Sequence, residues 1–382
     1  MNYLILFLLF IIFYSYAGYP LTILFLSLFS NSKVKKDDNF LPEVSLLIAA
    51  YNEEEGIADK IKNSLELDYP KDKLEIVVVS DGSTDRTDEI VKSFEKDGVR
   101  LFRVEGRVGK TEARNQAVLA MRKEIIVFSD ATAVYKKDAI KKMVRNFADP
   151  TIGMVSGNLT YFEKGQSSMG LATKIYWNYE LAIKRAQSRM HTLTGAIGCI
   201  NAFRRKLYHV LPPNIIEDFT EPLMIVAQGY RIAYEEEAVS YERTTQKPSQ
   251  EFNMRVRVIR GGMKGFLYAF RRLNFKDHTF VLLQLFGHKV LRWLVPVFLI
   301  MLFIVNLAAF IWGNNMLVDV LMVAQFLCYS MALLGMLWRP PGLLGKIASI
   351  PTYFVIVNSA SLKALYLTLT TDLEATWETN VY

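Results

Sequence analysis

Polar and acidic residues follow three apolar runs of this chain, at the points where each run ends. They are Tyr51, Asn52 and Glu53 after residues 44–50, Asp81 after residues 76–79, and Asp130 after residues 124–128. Carboxylate oxygens hold divalent cations and accept hydrogen bonds from bound ligands. Repetition of the pattern at three run ends favours a binding pocket over three ordinary turns.

The three runs have the composition of buried strands. They are rich in Val, Ile and Leu without alternation of polar residues, which is typical of parallel strands covered on both faces. Helical stretches alternate with them, as in βαβ units. Ligands of such sheets bind beyond the carboxyl ends of the strands. The sequence therefore predicts an α/β domain with a Rossmann-like, mostly parallel sheet, and these side chains at one edge.

A glycine-containing turn lies between the second and third of these strand ends. It reads EGRVGK over residues 105–110 and ends in Lys110, at the start of a predicted helix. Beside three acidic strand ends, this turn indicates a nucleotide pocket. We expect Asp81 to bind the base or ribose, Lys110 to face phosphate charge, and Asp130 to hold a divalent cation, Mg²⁺ or Mn²⁺.

Both ends of the chain are apolar and predict membrane segments. Residues 3–29 carry no charge and are long enough to cross a bilayer, and Lys33, Lys35 and Lys36 follow them. Positive flanks mark the cytoplasmic side, so we expect an anchor with its amino terminus outside. Residues 291–312 and 316–338 are two further predicted spans.

Two carboxy-terminal stretches have a different character. Residues 265–275, GFLYAFRRLNF, are aromatic and basic, which suits a segment in the headgroup layer. Residues 347–369 are apolar but contain Pro351, Asn358 and Lys363, and a lysine in mid-bilayer is costly. We expect a re-entrant or interfacial helix there, with a third carboxy-terminal span as the alternative.

Composition narrows the functional class. The formal charge of +7 is spread through the polar middle without a long Lys/Arg block, so it suits a membrane surface and an anionic substrate rather than nucleic acid. The two cysteines, Cys199 and Cys328, indicate neither a disulfide framework nor a metal site, and fit a reducing compartment.

The predicted organisation has five parts. They are an amino-terminal anchor (1–32), a soluble domain (40–264), an interfacial segment (265–285), a transmembrane region (288–370) and a tail (371–382).

Five segments, in this order and spacing, resemble the family 2 glycosyltransferases with a GT-A fold. They are VSLLIAAYNEEEG (44–56), VVVSDGSTDRT (77–87), GRVGKTEARNQAV (106–118), IIVFSDATAVY (125–135) and IEDF (216–219). The resemblance implies inverting transfer of a sugar from a nucleotide-sugar, usually a UDP-sugar, by a cytoplasmic domain at the cell (inner) membrane.

The resemblance also implies roles for individual residues. Asp218 matches the family's general base, with Glu217 as the weaker alternative and as an acceptor contact, and the loop Thr194-Gly195-Ala196 matches the acceptor site. Arg257 stands where the family often carries QxxRW. It joins Lys110 and a divalent ion held by Asp130 in neutralising the donor diphosphate. Tyr51, Asn52, Glu53 and Asp81 complete the expected donor site.

The chain departs from the family pattern at two places. The metal motif, usually DxD, reads Asp130-Ala131-Thr132, and threonine is a poorer cation ligand than a carboxylate. Val258 occupies the position of the QxxRW tryptophan, part of the acceptor platform in processive synthases. Sugar rings bind to aromatic faces, and a valine side chain cannot replace such a face. Trp177 or Trp377 could supply the missing aromatic ring.

We therefore expect a membrane-bound enzyme that transfers a sugar to a lipid-linked or other membrane-held acceptor, in glycolipid or cell-surface polysaccharide biosynthesis. A processive synthase of the hyaluronan, poly-N-acetylglucosamine or cellulose type is the alternative. An oligomer or polysaccharide-export partners would then complete its channel. An inactive scaffold of a polysaccharide assembly complex is the non-enzyme alternative.

Overall fold

A computed structural model describes residues 1–30, 32–162, 168–243, 248–313, 315–338, 342–372 and 374–376. Trp377 and most of the predicted tail lie outside the described residues. The chain begins with helices α1 (Asn2–Phe13) and α2 (Tyr19–Ser27), joined by a π-helical turn at Tyr14–Gly18. Together they form the first of four described segments that are long and apolar enough to cross a membrane.

An eight-stranded sheet forms the centre of the soluble domain. Its strands are β1 (Val44–Ala50), β2 (Leu74–Ser80), β3 (Val99–Arg103), β4 (Ile125–Asp130), β5 (Val134–Tyr135), β6 (Ile152–Phe162), β7 (Ile200–Arg204) and β8 (Arg231–Arg243), in the order β3-β2-β1-β4-β7-β6-β8-β5. Strands β3, β2, β1 and β4 are parallel neighbours, and β7 pairs antiparallel with β4 and β6. The predicted mostly parallel sheet is confirmed.

Helices cover both faces of the sheet. They are α3 (Ile57–Leu65), α4 (Thr87–Ser93), α5 (Lys110–Ala120), α6 (Ala139–Val144), α7 (Ser168–Met190) and α8 (Glu217–Ala227). Helix α9 (Pro248–Phe270) follows the last strand and packs on α8. Short 3₁₀ turns lie at Glu95–Asp97, Arg145–Ala148 and Arg205–Leu207. Six of the seven residues of β1 are buried, as expected for a strand covered on both sides.

The carboxy-terminal third is helical. It contains α10 (Phe275–Leu285), a π-helical turn at Phe286–Val290, α11 (Leu291–Trp312), α12 (Met316–Leu337) and α13 (Gly342–Thr370). The remaining candidate spans are Lys276–Trp312, Met316–Leu337 and Leu343–Thr370. Residues 265–275 comprise the end of α9, a turn and the first residue of α10 rather than one helix. The predicted boundaries between the five parts stay a prediction.

Helix α13 passes from the membrane helices to the soluble domain. Thr352 donates a hydrogen bond to the Ala332 carbonyl on α12, whereas Ala360 and Ala364 pack with Val256 on α9. Between these contacts, Arg255 on α9 donates a hydrogen bond to the Tyr353 hydroxyl at 2.6 Å. Helix α13 therefore contacts both α12 and α9, and the choice between an interfacial helix and a third carboxy-terminal span stays a prediction.

A buried ion pair attaches the segment after the amino-terminal helix to the sheet. The Arg145 guanidinium donates two hydrogen bonds to the Glu235 carboxylate on β8, at 3.2 and 3.1 Å. Lys36 reaches the same carboxylate at 2.8 Å. Because the Glu235 side chain is only 1% exposed, its charge depends on these partners.

We predict that Arg145→Met lowers the free energy of unfolding by about 3 kcal/mol, near the lower end of the cost of breaking a buried pair, because Lys36 remains. Thermal unfolding of the full chain in detergent measures the effect. Arg185→Gln, which removes an exposed pair with Glu236, is the control and should cost at most about 1 kcal/mol. Equal unfolding midpoints for the two variants would contradict the prediction.

Candidate active site

The predicted strand ends meet at one edge of the sheet. In the parallel register Ala49 lies opposite Asp130, and Ala50 lies opposite Ser80. The Asp81 N–H donates to the Ala50 carbonyl at 3.0 Å. Adjacent parallel strands therefore bring the residues that follow β1, β2 and β4 into one cleft.

The loop after β1 is held by the loop after β2. Asn52 has a left-handed backbone (φ 52°), a conformation that Asn tolerates better than most residues. Its side-chain carbonyl accepts a hydrogen bond from the Thr84 N–H at 2.8 Å, and the Glu53 N–H donates to the Thr87 hydroxyl at 2.8 Å. Asn52 thus shapes the rim of the cleft. Burial and the charge of the nearby Asp130 raise the pKa of Glu53, the next residue, to about 7.

Asp81 positions the turn before Lys110. Its carboxylate is 7% exposed and accepts hydrogen bonds from the N–H groups of Val108 (2.8 Å) and Gly109 (3.0 Å). Burial raises the pKa of Asp81 above its ordinary value, and the two backbone donors oppose that rise. The carboxylate therefore organises the wall of the cleft, and its direct contact with a base or ribose stays a prediction.

The turn at residues 105–110 is also fixed by the close approach of two backbone segments. Gly82 has φ 66°, and a Cβ there would overlap the carbonyl oxygen of Gly106. The guanidinium of Arg107 lies over the ring of Tyr51, 4.1 Å from its centroid. Tyr51 thereby joins the loop after β1 to the turn that ends in Lys110.

Two cations meet the carboxylate of Asp130. Lys110 Nζ lies 2.8 Å from Asp130 Oδ1, and a guanidinium nitrogen of Arg114 lies 2.9 Å from the same oxygen. Burial opposes ionisation of Asp130, but Lys110 and Arg114 bring its pKa below the ordinary value. Asp130 is therefore an ionised carboxylate, and its side chain is 29% exposed.

Arg114 is a site residue that sequence reasoning missed. Its side chain is fully buried, and its guanidinium bridges Asp130 and Glu217, with the latter at 2.5 Å. The available signal was its spacing, since Arg114 follows Lys110 by one helical turn and so shares its face of α5. A buried arginine between two carboxylates joins β4, α5 and α8 at the floor of the cleft.

Glu217 faces the interior of the domain. It is 5% exposed, and its second oxygen accepts a hydrogen bond from the Thr111 hydroxyl at 2.8 Å. Burial opposes its ionisation, but Arg114 and Lys110 lower its pKa below the ordinary value. Both oxygens are thus engaged within the protein, which speaks against the expected acceptor contact and against a role as base.

Asp218, the next residue, has the opposite environment. It is half-buried, and burial together with the charge of Glu217 raises its pKa to about 6. Its backbone carbonyl accepts a hydrogen bond from the Ala196 N–H at 2.9 Å. A Cβ at Gly198 would lie 3.0 Å from a carboxylate oxygen of Asp218. The structure therefore places the glycine-rich loop, residues 193–198, directly against this carboxylate.

The predicted acceptor residues differ in orientation. Thr194 is 1% exposed and donates its hydroxyl to the side chain of Gln187, away from the cleft, and Gly195 is buried. Ala196 and Gly198 are the partly exposed members of the loop. An acceptor at this loop would therefore meet its backbone and Ala196 rather than the Thr194 hydroxyl.

Arg257 lies on α9 beside the start of α8. A Cβ at Gly261 would overlap the Ile216 side chain, so the two helices touch just before Glu217. Arg257 precedes Gly261 by one helical turn and is half-buried, and Val258 is 46% exposed. The contact of Arg257 with a donor diphosphate stays a prediction.

A divalent cation in this cleft would need oxygen ligands from the protein and from a bound substrate. Among the described residues no group of three or more His, Cys, Asp or Glu side chains is placed to hold a metal. Asp130 is one ionised, partly exposed carboxylate, and Mg²⁺ is commonly bound by one or two carboxylates together with substrate phosphates. The residues fit a cation that is bound together with a nucleotide, with Asp130 as its protein ligand.

The sheet topology and the acidic strand ends define a GT-A domain, the fold of a large class of glycosyltransferases. Residues 45–211 match the family model described as glycosyl transferase family 2.

Curated relatives include poly-beta-1,6-N-acetyl-D-glucosamine synthases. That of Staphylococcus aureus (strain COL) is 29% identical over 250 residues, which cover 63% of this chain and 59% of the relative. That of Staphylococcus epidermidis (strain ATCC 35984) is 28% identical over 243 residues, which cover 62% and 58%. The matched part thus spans about three-fifths of the length of these relatives.

A solved structure matches almost the whole chain. The mannosyltransferase PcManGT from Pyrobaculum calidifontis, in complex with GDP-Man and Mn²⁺, has a TM-score of 0.75 at 23% identity. The match covers 96% of this chain and 99% of that one. The shared fold therefore includes the apolar helices as well as the GT-A domain.

We predict that Asp81→Ala and Asp130→Ala both weaken binding of UDP or GDP, by about tenfold to a hundredfold, because each loses a buried or charge-assisted contact. Removing Mg²⁺ and Mn²⁺ with a chelator should weaken binding to the unaltered chain and to Asp81→Ala. It should change little in Asp130→Ala, where the cation ligand is already lost.

Calorimetric titration of each variant in detergent makes the measurement. Asp59→Ala, at a position with an 88% exposed side chain on α3, is the matched control and should bind like the unaltered chain. Undiminished binding and turnover in excess chelator would disprove the metal role of Asp130.

Proposed function

We propose that this chain is a membrane-bound, inverting glycosyltransferase that moves a sugar from a nucleotide-sugar to a lipid-linked or other membrane-held acceptor. The observation that carries the proposal is the position of Asp218. Its carboxylate, with a pKa of about 6, lies against the glycine-rich loop, at the start of α8, where Glu217 pairs with Lys110 and Arg114. A base with this pKa is ionised at neutral pH and still accepts a proton well.

The reaction is a single displacement. Asp218 takes the proton of the acceptor hydroxyl, and the hydroxyl oxygen forms a bond to the anomeric carbon of the donor sugar. The bond from that carbon to the diphosphate breaks from the opposite side, and the nucleoside diphosphate leaves with the electron pair. The configuration at the anomeric carbon is therefore inverted.

Cationic side chains of the chain stabilise the leaving group. Lys110, on the amino-terminal turn of α5, faces the developing charge, and the dipole of that helix acts in the same direction. Arg257 is the second proposed contact, because its planar guanidinium suits phosphate oxygens. A divalent cation, Mg²⁺ or Mn²⁺, supplies further charge neutralisation when it is bound at Asp130.

Tyr51, Asn52, Glu53 and Asp81 make up the remainder of the proposed donor site. The cleft that they frame binds the nucleoside, with Asp81 and Asn52 holding its walls. The relatives do not agree on the nucleotide, because the structural neighbour was solved with GDP-Man and the resemblance favours a UDP-sugar. Donor binding should therefore be assayed with both nucleotides.

The acceptor is proposed to approach from the membrane. Four described helices are long and apolar enough to span it, and Lys35 and Lys36 follow the first one, where positive charge marks the cytoplasmic side. These charges support the proposal that the GT-A domain lies in the cytoplasm, against the inner leaflet. Of these four segments, α13 is the one that we propose to lie at the interface, because its second half packs on α9 beside the proposed acceptor path.

Limited transfer is favoured over polymer synthesis by two observations. Val258 presents an exposed aliphatic side chain where processive relatives carry an aromatic platform. Trp177 does not replace that platform, because its indole N–H donates to the Leu159 carbonyl at 2.7 Å and its ring packs against Tyr161. Trp377, the other named substitute, lies outside the described residues.

A processive synthase is the second candidate, and one finding favours it. The curated relatives that share 28–29% identity with the domain are named as synthases of a β-1,6-linked N-acetylglucosamine polymer. An oligomer or export partners would then supply the rest of a channel. An inactive scaffold is separated from both candidates by assaying release of nucleoside diphosphate.

We predict that Asp218→Asn lowers the transfer rate by roughly 10² to 10⁴, the range for loss of a general base, because the amide keeps the shape but accepts no proton. Nucleotide binding should be unchanged. In the unaltered chain the rate should fall as the pH drops through about 6, since protonated Asp218 cannot act as a base. An unchanged rate in Asp218→Asn would remove this residue from the mechanism.

We predict that the purified chain converts radiolabelled UDP-N-acetylglucosamine or GDP-mannose, with membrane lipid extract, into a glycolipid of one or a few sugars. The reason is the absence of an aromatic at position 258 to hold a growing chain. Organic extraction followed by size analysis distinguishes the products. A high-molecular-weight polymer from the purified chain alone would establish the processive candidate instead.

A further inference from the structure

A buried glutamine lies between the glycine-rich loop and the membrane helices. Gln187, on α7, is 1% exposed. Its amide nitrogen lies 2.9 Å from the hydroxyl of Tyr19 on α2 and 3.2 Å from Nδ1 of His288 in the turn before α11. Its carbonyl oxygen accepts from the Thr194 hydroxyl at 3.5 Å. One side chain thus contacts two membrane segments and the loop beneath Asp218.

The neighbouring charges fix the direction of these hydrogen bonds. His288 Nε2 lies 3.1 Å from a carboxylate oxygen of Glu180, which also pairs with Lys289 and Arg292. An ionised carboxylate only accepts, so Nε2 carries the hydrogen and Nδ1 of a neutral His288 accepts from the Gln187 amide. The Gln187 amide group is therefore oriented with its carbonyl towards Thr194.

The loop is bound to α7 at a second point and to α8 at a third. The Lys184 ammonium group, one turn before Gln187, donates to the Gly195 carbonyl at 2.7 Å. The Ala196 N–H donates to the backbone of Asp218. Consecutive residues 194, 195 and 196 are thus each held by a hydrogen bond, and the last of these bonds reaches the proposed base itself.

We infer that Gln187 is a positioning residue that couples the acceptor loop, residues 193–198, to the membrane helices through Tyr19 and His288. The inference rests on the proposed function for the identity of the loop as the acceptor site. Buried polar groups that lose one partner are costly, so loss of the Gln187 amide should loosen the loop even though its other hydrogen bonds remain. An acceptor that arrives from the membrane then meets a loop whose position is set by the membrane helices.

The first test uses the full chain in detergent and measures amide hydrogen exchange. Gln187→Met keeps the length of the side chain but removes its donors and acceptor. Exchange at residues 193–198 should become about tenfold faster or more, while Val108 and Gly109 beside Asp81 should not change. Tyr19→Phe, which deletes one hydroxyl on a membrane helix, should speed exchange at the same loop to a smaller extent.

Arg185→Gln is the matched control, because Arg185 lies on α7 two residues away and pairs with Glu236 at the surface. It should leave exchange in the loop unchanged. Loop exchange that is the same in Gln187→Met and Arg185→Gln would overturn the inference. So would uniform acceleration across the whole domain in Gln187→Met, since that would show general destabilisation rather than local positioning.

The second test separates the acceptor from the donor. With octyl β-glucoside as a model acceptor, Gln187→Met should raise the acceptor KM about tenfold and leave UDP and GDP affinity unchanged. A loss of nucleotide affinity of the same size would also overturn the inference. If the unaltered chain transfers no sugar, the proposed function fails, whereas the exchange measurement still decides the role of Gln187.

Discussion

The buried guanidinium of Arg114 is the interaction on which the site depends. It joins Asp130 at the end of β4 to Glu217 at the start of α8, two positions 87 residues apart in the chain. Two carboxylates and one lysine surround it, so the charges on the floor of the cleft are nearly balanced. Without that cation, only Lys110 would balance the charges of the buried Glu217 and the partly exposed Asp130.

The same cluster gives two adjacent acids different properties. Glu217 has direct cationic partners, and its pKa is lowered despite burial. For Asp218 the two largest influences are burial and the charge of Glu217, and together they raise its pKa to about 6. Two adjacent acids whose environments separate their pKa values are the pattern expected of an acid held ionised beside an acid that can exchange a proton near neutral pH.

The membrane helices are part of the architecture of the domain rather than a simple anchor. Helix α7 carries Glu180, which contacts His288, Lys289 and Arg292. These buried contacts attach the domain to the start of α11 and to the turn before it. Helix α13 returns from the membrane region and packs on α9. Attachment at both places fixes the orientation of the cleft relative to the apolar helices.

The sequence by itself determined the class of fold and the place of the cleft. Unbroken apolar runs that end in Glu53, Asp81 and Asp130 predict parallel strands, and parallel strands bring their carboxyl ends to one edge. Only the tertiary structure decided how the individual side chains are used. Asp81 is committed to the Val108 and Gly109 amides, Thr194 to Gln187, and Glu217 to Arg114. The physical reason is that partners distant in sequence determine where a polar side chain points, and local patterns carry no record of such contacts.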